Sequence, residues 1–418
     1  MSLFFKGSCL IVWNTYNEKK GEMTVIRTLK PGEFNEAIDL SEYAFRYKLS
    51  EEKREERLSR MNADEIFGYF NDEGKLMAKL HLLSFKMYLG GNVMPMGGVA
   101  GVATWPEFRR SGHVKGLLYH ALKAMKENGQ AISMLHPFSV KFYRKYGWEC
   151  TCDYKKYEIK KEQFPQTVTV KGKVGRITKK DVEMLHAVYE KFAKVYNGSL
   201  KRSDVWWERL IDDENIVVYK NEENEPTGYL IYSIKEKTFK IDEFVYLDFM
   251  SWNGLWSFIG NHDSMIDLVT MIVPVDDQTG YYLSDPKIKQ EQYAYFMGRI
   301  VDVKNVLEQY PFDCSEDRHL FLHVHDEFAE WNIGTYLVSV KEGRKEITSF
   351  NKQKEQAFCT HPPKKGVLCD IQSLTAVLFN YKKPSELYRF GRISGNEQDI
   401  EHFEKMIPDY TPFIYDFF

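Results

Sequence analysis

The sequence has few cysteines, almost no net charge and no long apolar run. Its six cysteines, spread over 418 residues, lie in no paired metal spacing. Cys150 and Cys152 are separated by one residue, whereas a zinc knuckle needs about two to four. We therefore expect free thiols in a reducing, cytoplasmic compartment. The formal net charge of −3 at pH 7 gives no overall attraction to nucleic acid, so no nucleic-acid partner is expected.

No run of about 18 apolar residues occurs, so we expect no membrane-spanning helix. The first segment, Met1–Val12, lacks a charged n-region and a small-residue cleavage site, so it does not resemble a signal peptide. The strand-like residues that begin at Thr24 predict the start of the fold, with residues 1–23 as an N-terminal extension. At roughly 150 residues per domain, the length predicts two or three domains.

The first part of the chain predicts a mixed α/β domain. A helix is expected around Gly32–Tyr47, and the charged run Glu51–Arg60 is interpreted as a solvated helix face. Turn signals at Asn71–Gly74 and Gly90–Asn92 separate strand patterns and predict an antiparallel meander. The four apolar positions expected to pack from the first helix are Phe34, Ile38, Tyr43 and Phe45.

A strand–loop–helix–strand unit follows the meander. The apolar strand Val99–Thr104 ends at Trp105-Pro106, and the charged loop Glu107–Gly112 comes next. Apolar residues at helical spacing predict a helix over Val114–Asn128, and Ala131–Leu135 is interpreted as a short buried strand. A parallel unit appended to a meander gives a mixed α/β fold class.

A second region repeats this order without the charged loop. A helix over Asp181–Tyr196 precedes a strand–turn–strand pattern, and Phe239–Phe249 and Ile266–Val273 are predicted strands around a short helix. No Arg- and Gly-rich segment stands between that strand and that helix. A third composition begins near Met297, with predicted strands, buried helices over Cys369–Phe379 and 398–406, and an aromatic end that we expect to be docked.

The loop of the first unit has the features of a pyrophosphate site. A helix N-terminus offers unpaired N–H groups and a partial positive charge. Gly112 permits close backbone approach, and Arg109 and Arg110 add cationic donors. The preceding strand can pair with an amide-rich arm such as pantetheine. An ordinary charged loop capping a helix is the alternative.

These motifs resemble the GNAT acetyltransferases, and in particular the enhanced intracellular survival (Eis-like) family. Pro106-Glu107-Phe108-Arg109-Arg110-Ser111-Gly112 fits the Pro-x-x-Arg-Arg-x-Gly form of that family, which carries a residue larger than Gly or Ala at the position of Val114. The segment from His136 to Trp148 fits the second block of the family, in which a tyrosine stands four residues before Gly and an aromatic residue.

The resemblance implies an N-acetyltransferase with acetyl-CoA as acetyl donor and no metal. It implies an active GNAT domain over residues 24–160, a degenerate GNAT-like domain over 161–296, and a sterol-carrier-like α+β domain over 297–418. A homo-oligomer, by resemblance a hexamer, is also implied. The cofactor contacts carried over are Val102, Ala103, Thr104, Arg110, Ser111, Gly112, His113, Val114, Lys115, Phe138 and Ser139.

The resemblance also assigns the proton transfers of the reaction. Tyr143 matches the general acid, and a phenol with a pKa near 10 is protonated at neutral pH and can donate to the leaving sulfur. The alternative is that Tyr143 only packs among aromatic residues. The general base is carried over as the α-carboxylate of Phe418, acting through water; otherwise this end only plugs the third domain.

The acceptor is expected to be a primary amine, for example an aminoglycoside-like polyamine attracted by Glu36, Asp39, Glu42 or Asp416. Two other functions are kept open: a protein or peptide lysine acetyltransferase, and a non-catalytic acyl-CoA or lipid-binding module. His113 is expected to serve through its backbone N–H, and His136 to be structural. The pattern His323-Val324-His325-Asp326 is interpreted as exposed polar alternation, not as a metal site.

Overall fold

The computed structural model describes residues 13–17, 22–178, 181–211, 215–350 and 365–418. Cys9, Cys359 and most of the predicted N-terminal extension lie outside the described residues. The strands are β1 (Trp13–Asn17), β2 (Glu22–Thr28), β3 (Ile66–Phe70), β4 (Leu76–Leu89), β5 (Asn92–Thr104), β6 (Ile132–Leu135), β7 (Glu149–Lys160), β8 (Lys173–Ile177), β9 (Tyr196–Asn197), β10 (Asn215–Lys220), β11 (Pro226–Lys235), β12 (Thr238–Tyr246), β13 (Leu268–Val273), β14 (Lys289–Ile300), β15 (Arg318–His325), β16 (Gly334–Lys341), β17 (Arg344–Phe350), β18 (Val367–Asp370), β19 (Ile393–Gly395) and β20 (Thr411–Pro412).

The α-helices are α1 (Phe34–Phe45), α2 (Glu51–Arg60), α3 (His113–Glu127), α4 (Val140–Arg144), α5 (Glu183–Ala193), α6 (Asp204–Leu210), α7 (Phe249–Gly260), α8 (Thr279–Tyr282), α9 (Val303–Gln309), α10 (Ile371–Leu378), α11 (Pro384–Arg389) and α12 (Glu397–Met406). In the part of the chain that is described, no helix combines the length and apolar character needed to cross a lipid bilayer.

One 13-stranded sheet joins the first two regions, in the order β1-β2-β3-β4-β5-β6-β14-β7-β13-β12-β11-β10-β8. The predicted meander is β3–β4–β5, and β5 pairs in parallel with β6 across α3. The strand β14 comes from the end of the second region and lies between β6 and β7 of the first. The predicted boundary at residues 296 and 297 falls within β14, and the domain boundaries stay predictions.

The face of α1 differs from the one predicted. Phe34 and Ile38 are buried, but Tyr43 and Phe45 are more than half exposed, at 54% and 51%. Both lie in the last turn of α1, where the Tyr43 ring packs on Trp105 at 5.3 Å. The helix α2 is exposed along nearly its whole length, as predicted for a solvated face.

The second region repeats the parallel unit as β12–α7–β13. Its helix begins differently from α3, because the Asp248 side chain accepts a hydrogen bond of 2.7 Å from the backbone N–H of Ser251. A carboxylate therefore occupies the helix end where the first unit has its glycine loop, and an anion there would meet like charge. The second unit therefore keeps the architecture of the first but closes its helix end with an acidic cap.

The third region forms a five-stranded sheet of order β17-β16-β15-β18-β19. The helix predicted over Cys369–Phe379 begins only at Ile371, because Val367–Asp370 forms β18 and Asp370 caps α10. The short strand β20 pairs in parallel with β9 of the second region. The end of the chain therefore leaves the third region and packs against the other two.

Candidate active site

The middle of β5 pairs with the first three residues of β6, and the two strands then separate. Their parallel register covers Met96–Gly98 against Ile132–Met134. Beyond this, β5 continues to Thr104 with β4 on one side only, while Leu135 of β6 pairs with Met297 of β14. The free edge of β5 offers backbone groups to a ligand, in the way that a sheet edge binds an extended peptide.

The loop between β5 and α3 has a strained backbone. Arg110 has φ +64° and Gly112 has φ +85°, both in the left-handed region. Gly112 is the N-cap residue of α3, and neither a side-chain cap nor an acidic residue satisfies the first turn. The N–H groups of His113, Val114 and Lys115 therefore point from an uncapped helix end, the arrangement that binds phosphate in proteins.

A cavity of about 730 Å³ lies between this loop, the free edge of β5 and the segment after β6. Its volume is in the range of sites for small molecules and cofactors. Of the predicted cofactor residues, Ser111 is not among the lining residues, and Ser139 instead caps α4 by accepting from Phe142 N. The predicted residues that line the cavity are Val102, Ala103, Thr104, Arg110, Gly112, His113, Val114, Lys115 and Phe138.

Other residues of the cavity wall were not predicted as contacts. Ala44 and Phe45 come from the end of α1, and Phe142 and Tyr146 from the α4 segment. The half-exposed ring of Phe45 is consistent with a binding surface, because a large apolar side chain left in solvent often marks one. This exposure is visible only in the folded chain. The hydroxyl of Thr104 is buried, and no group in the described residues hydrogen-bonds to it. A buried hydroxyl without a partner favours a ligand at this wall.

Tyr143 lies on α4, directly behind the cavity wall. Its side chain is only 3% exposed, and its ring packs against Phe138, Phe142 and Trp148 at centroid distances of 5.4, 5.2 and 6.3 Å. Burial raises the pKa of the Tyr143 phenol above its usual value. The phenol therefore stays protonated at neutral pH, as a proton donor requires. The aromatic packing of Tyr143 therefore does not exclude a role for its phenol as a proton donor.

The turn after α4 is fixed by a buried arginine of β14. Nη1 of Arg299 donates to the carbonyl of Tyr146 at 2.5 Å, and Nη2 donates to Asp326 at 2.7 Å. Gly147 has φ +88°, and a Cβ atom there would lie 1.3 Å from Nη1 of Arg299. Residues of all three regions thus meet behind Tyr143, and no local sequence pattern predicts this meeting.

The end of the chain lies at the point where β5 and β6 separate. The Phe418 ring packs against Phe85 and Phe296 at 4.8 and 5.1 Å. A Cβ atom on Gly98, the last β5 residue paired with β6, would lie 2.9 Å from that ring. The neighbouring Phe417 packs on His136 at 4.9 Å. The terminal aromatics therefore pack against residues of the main sheet and the segment after β6.

A buried ion-pair network fixes this end of the chain. Asp416 is 1% exposed and accepts from Arg202 Nε at 2.8 Å, Trp206 Nε1 at 2.7 Å and the Tyr189 hydroxyl at 3.1 Å. Arg202 also pairs with Glu243 of β12. Buried charges are stable only when paired and hydrogen-bonded in this way.

The acids expected to attract a cationic acceptor are engaged within the protein. Asp416 is buried in the network just described, so its carboxylate is not free to attract a cationic acceptor. Glu42 is also buried and accepts from Leu49 N, and Glu36 accepts from Leu76 N. Asp39 is exposed but pairs with Arg54 at 2.8 Å. These residues do not form a free acidic pocket.

The remaining candidate groups have structural contacts. His113 is 7% exposed, with its ring 4.4 Å from that of Tyr69. Both ring nitrogens of His323 hydrogen-bond, to Thr335 and to the Lys365 carbonyl. Within the described ranges, no group of three or more His, Cys, Asp or Glu side chains is placed to hold a metal. The four described cysteines are free thiols.

Comparison with known families divides the chain into the same three regions. An acetyltransferase (GNAT) domain family matches residues 25–151, and a second GNAT acetyltransferase domain family matches residues 198–300. The sterol carrier protein domain family matches residues 303–415. An uncharacterized N-acetyltransferase of Streptomyces avermitilis is 23% identical over 301 residues, which are 64% of this chain and 71% of that protein.

Solved structures share the complete architecture. A probable N-acyltransferase from Enterococcus faecalis V583 is 26% identical, with a TM-score of 0.86 over 94% of this chain and all of that one. A GCN5-related N-acetyltransferase from Anabaena variabilis, 24% identical, and Eis1 from Mycobacterium abscessus, 19% identical, have TM-scores of 0.83 and 0.75 with the same coverage and show the shared fold. The chain is therefore a GNAT-family acyltransferase, built from two acetyltransferase domains and a C-terminal sterol carrier protein domain in the arrangement of the Eis fold.

Proposed function

We propose that this protein transfers the acetyl group of acetyl-CoA to a primary amine in the cavity of the first GNAT domain. The observation that carries the proposal is the uncapped N-terminus of α3, with Gly112 at φ +85°, facing a cavity beside the free edge of β5. The pyrophosphate would bind the N–H groups of residues 113–115, with Arg109 and Arg110 as cationic donors. The pantetheine arm would pair with Val102–Thr104.

The reaction needs proton transfers as well as the exchange of bonds. The Phe418 α-carboxylate accepts the first proton from the acceptor ammonium through water. The amine nitrogen then forms a bond to the acetyl carbon, and the carbon–sulfur bond breaks. The Tyr143 phenol gives its proton to the departing thiolate and regains one from the nitrogen, which loses its second proton as the amide forms. No covalent enzyme intermediate is required. Burial raises the pKa of the Cys150 thiol to about 11 and that of Cys152 to about 12, so neither supplies a thiolate.

The position of the chain end supports this role for Phe418. Its ring covers Gly98, where β5 and β6 separate. The thioester of a cofactor bound along the free edge of β5 would lie beside that point. The same position disfavours the lipid-binding alternative, because the terminal aromatics pack on β4, on β14 and on His136 after β6.

The acceptor class is proposed as a primary amine without a requirement for high positive charge. The acids that were expected to attract a polycation are buried or paired, so an aminoglycoside-like polyamine gains no special attraction from them. A protein or peptide lysine carries the same nucleophile, and it enters the acceptor panel as an alternative. A cytoplasmic hexamer follows from the resemblance alone, and sedimentation analysis would test its size.

The test is thiol release from acetyl-CoA with a panel of amines and lysine peptides. We expect Tyr143→Phe to lower kcat by about 100-fold, because general acid catalysis contributes about 10²–10⁴-fold. A chain extended by one glycine beyond Phe418 should lose turnover, since the carboxylate moves away from the cavity. Arg110→Ala should raise the KM for acetyl-CoA.

Tyr119→Phe is the matched control, because Tyr119 lies on α3 and hydrogen-bonds to Glu330 away from the cavity. It should keep wild-type kcat. Undiminished turnover in both Tyr143→Phe and the extended chain would overturn the assignment of the acid and the base. Calorimetry that detects no binding of CoA or acetyl-CoA would overturn the proposed function itself.

A further inference from the structure

A lysine is buried beside the free edge of β5 without a carboxylate partner. Lys79 on β4 is 0% exposed. Its Nζ lies 3.0 Å from Nε2 of His81 and 3.2 Å from the carbonyl oxygen of Gly101. In the part of the chain that is described, no acidic side chain pairs with Lys79. An unpaired buried ammonium is costly, so the surroundings favour the neutral amine.

The electrostatic surroundings of Lys79 also favour its neutral amine. Burial, and secondarily the positive charge of Arg57 on α2, lower the pKa of Lys79 from 10.5 to about 7. The neighbouring strand β3 places the uncharged Gly68 opposite Lys79, and β5 places Ala103 there. Burial and the charge of Lys79 lower the pKa of His81 as well. At neutral pH a neutral imidazole therefore lies next to an amine that can take up a proton.

The pair lies on the sheet face that also carries the end of the chain. Alternate residues of a strand share a face, so Lys79 and His81 lie on the same face as Phe85. Residues directly opposite across an antiparallel pair also share a face. His81 pairs with Ala100, and two residues earlier on β5 is Gly98, which the Phe418 ring covers. The helix α3 packs on the other face, where Gly97 would meet Met125.

A bulge in β5 brings the imidazole to this position. Two residues of β5, Gly101 and Val102, face one residue of β4 between Lys79 and His81. Gly101 has φ +55°, and a Cβ atom there would lie 2.8 Å from the His81 ring. The next residues, Val102 and Ala103, line the cofactor cavity. The His81 ring therefore lies between the β5 residues that line the cavity and the sheet face that carries the Phe418 ring.

We propose that His81 and Lys79 form a proton relay, in which Lys79 Nζ is the final acceptor of the proton that leaves the substrate amine. In the resting pair, His81 Nε2–H donates to the neutral Lys79 amine, and Lys79 donates to the Gly101 carbonyl. The proton released by the ammonium reaches His81 Nδ1 through water, and the Nε2 proton passes to Lys79 Nζ. His81 ends neutral with its proton on Nδ1, and Lys79 ends as an ammonium.

The relay rests on the proposed function and completes its proton balance. A carboxylate with a reference pKa near 3.5 can attract an ammonium and pass its proton on, but it holds that proton poorly. An acceptor that titrates close to the operating pH is better matched to this task. After product release, Lys79 returns its proton through His81, which is partly exposed.

The experiment compares two amines of similar shape in thiol release from acetyl-CoA, ethylamine and 2,2,2-trifluoroethylamine, for wild type, Lys79→Met and His81→Gln. Ethylamine is an ammonium at pH 7.5 and must lose a proton, whereas trifluoroethylamine is already mostly neutral. We expect each substitution to lower kcat/KM for ethylamine by about 100-fold. The loss with trifluoroethylamine should be at least about tenfold smaller. Calorimetry with acetyl-CoA should show wild-type affinity, which establishes folded protein.

Equal losses with both amines in a variant that binds acetyl-CoA normally would mean that the pair only supports structure, and this would overturn the relay. Unchanged rates with ethylamine in both variants would overturn it as well. Wild-type protein that binds acetyl-CoA and acetylates no amine of the wider panel would instead contradict the proposed function, and the relay would fall with it. If Lys79→Met does not fold, the same comparison of the two amines in His81→Gln tests the relay by itself.

Discussion

Asp416 Oδ1 lies 2.8 Å from Nε of Arg202, and both side chains are fully buried. This contact joins the end of the chain to the second GNAT domain and so fixes the position of Phe418. We expect Asp416→Asn to lower the free energy of unfolding by about 3–5 kcal/mol, because it leaves a buried guanidinium short of a counter-charge. Turnover should fall with it, since the chain end is released. Urea unfolding and thiol release would measure both effects.

The control for that prediction is Asp409→Asn, at an exposed position of the same segment. It should change the free energy of unfolding by no more than about 0.5 kcal/mol. If Asp416→Asn unfolds at the same urea concentration as this control, the network does not stabilise the chain end.

The contact of Gly147 with Arg299 predicts a second effect behind Tyr143. Gly147→Ala must place a Cβ atom 1.3 Å from the present position of Arg299 Nη1, at a φ of +88°. Arg299 is held by Asp326 and cannot move without breaking a buried ion pair. We expect a loss of more than about 3 kcal/mol in the free energy of unfolding.

Gly129→Ala separates backbone strain from this contact. Gly129 has φ +71°, and nothing lies within 4 Å of its ideal Cβ atom. That substitution should cost only about 1 kcal/mol. Equal losses in the two variants would show that the close approach of Arg299 contributes nothing.

The buried amine of Lys79 predicts a pH-dependent stability. Its pKa is about 7 in the folded protein against 10.5 when exposed, so between these values the unfolded chain binds more protons and stability rises with pH. Below pH 7 the wild type loses roughly 5 kcal/mol relative to its value above pH 10.5, at about 1.4 kcal/mol per pKa unit. Lys79→Met should therefore be more stable than wild type at pH 6, with a difference that shrinks toward pH 10.

Urea unfolding at several pH values would measure that difference, with the exposed Lys173→Met as control. The control should differ from wild type by a small amount that does not vary with pH. A constant difference for Lys79→Met across the same range would mean that Lys79 titrates normally in the folded protein.

The loop before α3 predicts a specific effect on cofactor binding. Gly112→Ala adds a side chain at φ +85° beside the N–H groups proposed to bind pyrophosphate. We expect the Kd for acetyl-CoA to rise about tenfold, because the alanine loop relaxes in the free protein and binding must restore left-handed backbone, which costs about 1–2 kcal/mol outside glycine. Calorimetry would measure this.

Gly391→Ala tests the same strain away from the cavity, at φ +68° with open space around its Cβ atom. It should lower stability to a similar degree and leave the Kd for acetyl-CoA unchanged. Equal weakening of acetyl-CoA binding by both variants would remove the loop from the proposed site.

The amino-acid sequence by itself determined the local elements and the glycine-containing loop before α3. Alternation and turn residues indicated β3–β4–β5, helical spacing indicated α3, and Gly112 with its arginines marked the helix end. These signals are local, since each depends on residues a few positions apart. The same reasoning found the second unit and its missing loop, to which the structure adds the Asp248 cap.

Tertiary structure alone decided which distant segments meet at the site. The insertion of β14 between β6 and β7, the burial of Asp416 against Arg202, and the exposure of Phe45 at the cavity depend on packing between segments that are far apart in the sequence. Lys79 shows most clearly what sequence patterns alone do not predict, because in the sequence it is one charged residue within a strand. Its chemistry follows from burial without a carboxylate partner, and burial is set by the neighbours that the fold brings, not by the residues beside it in the chain.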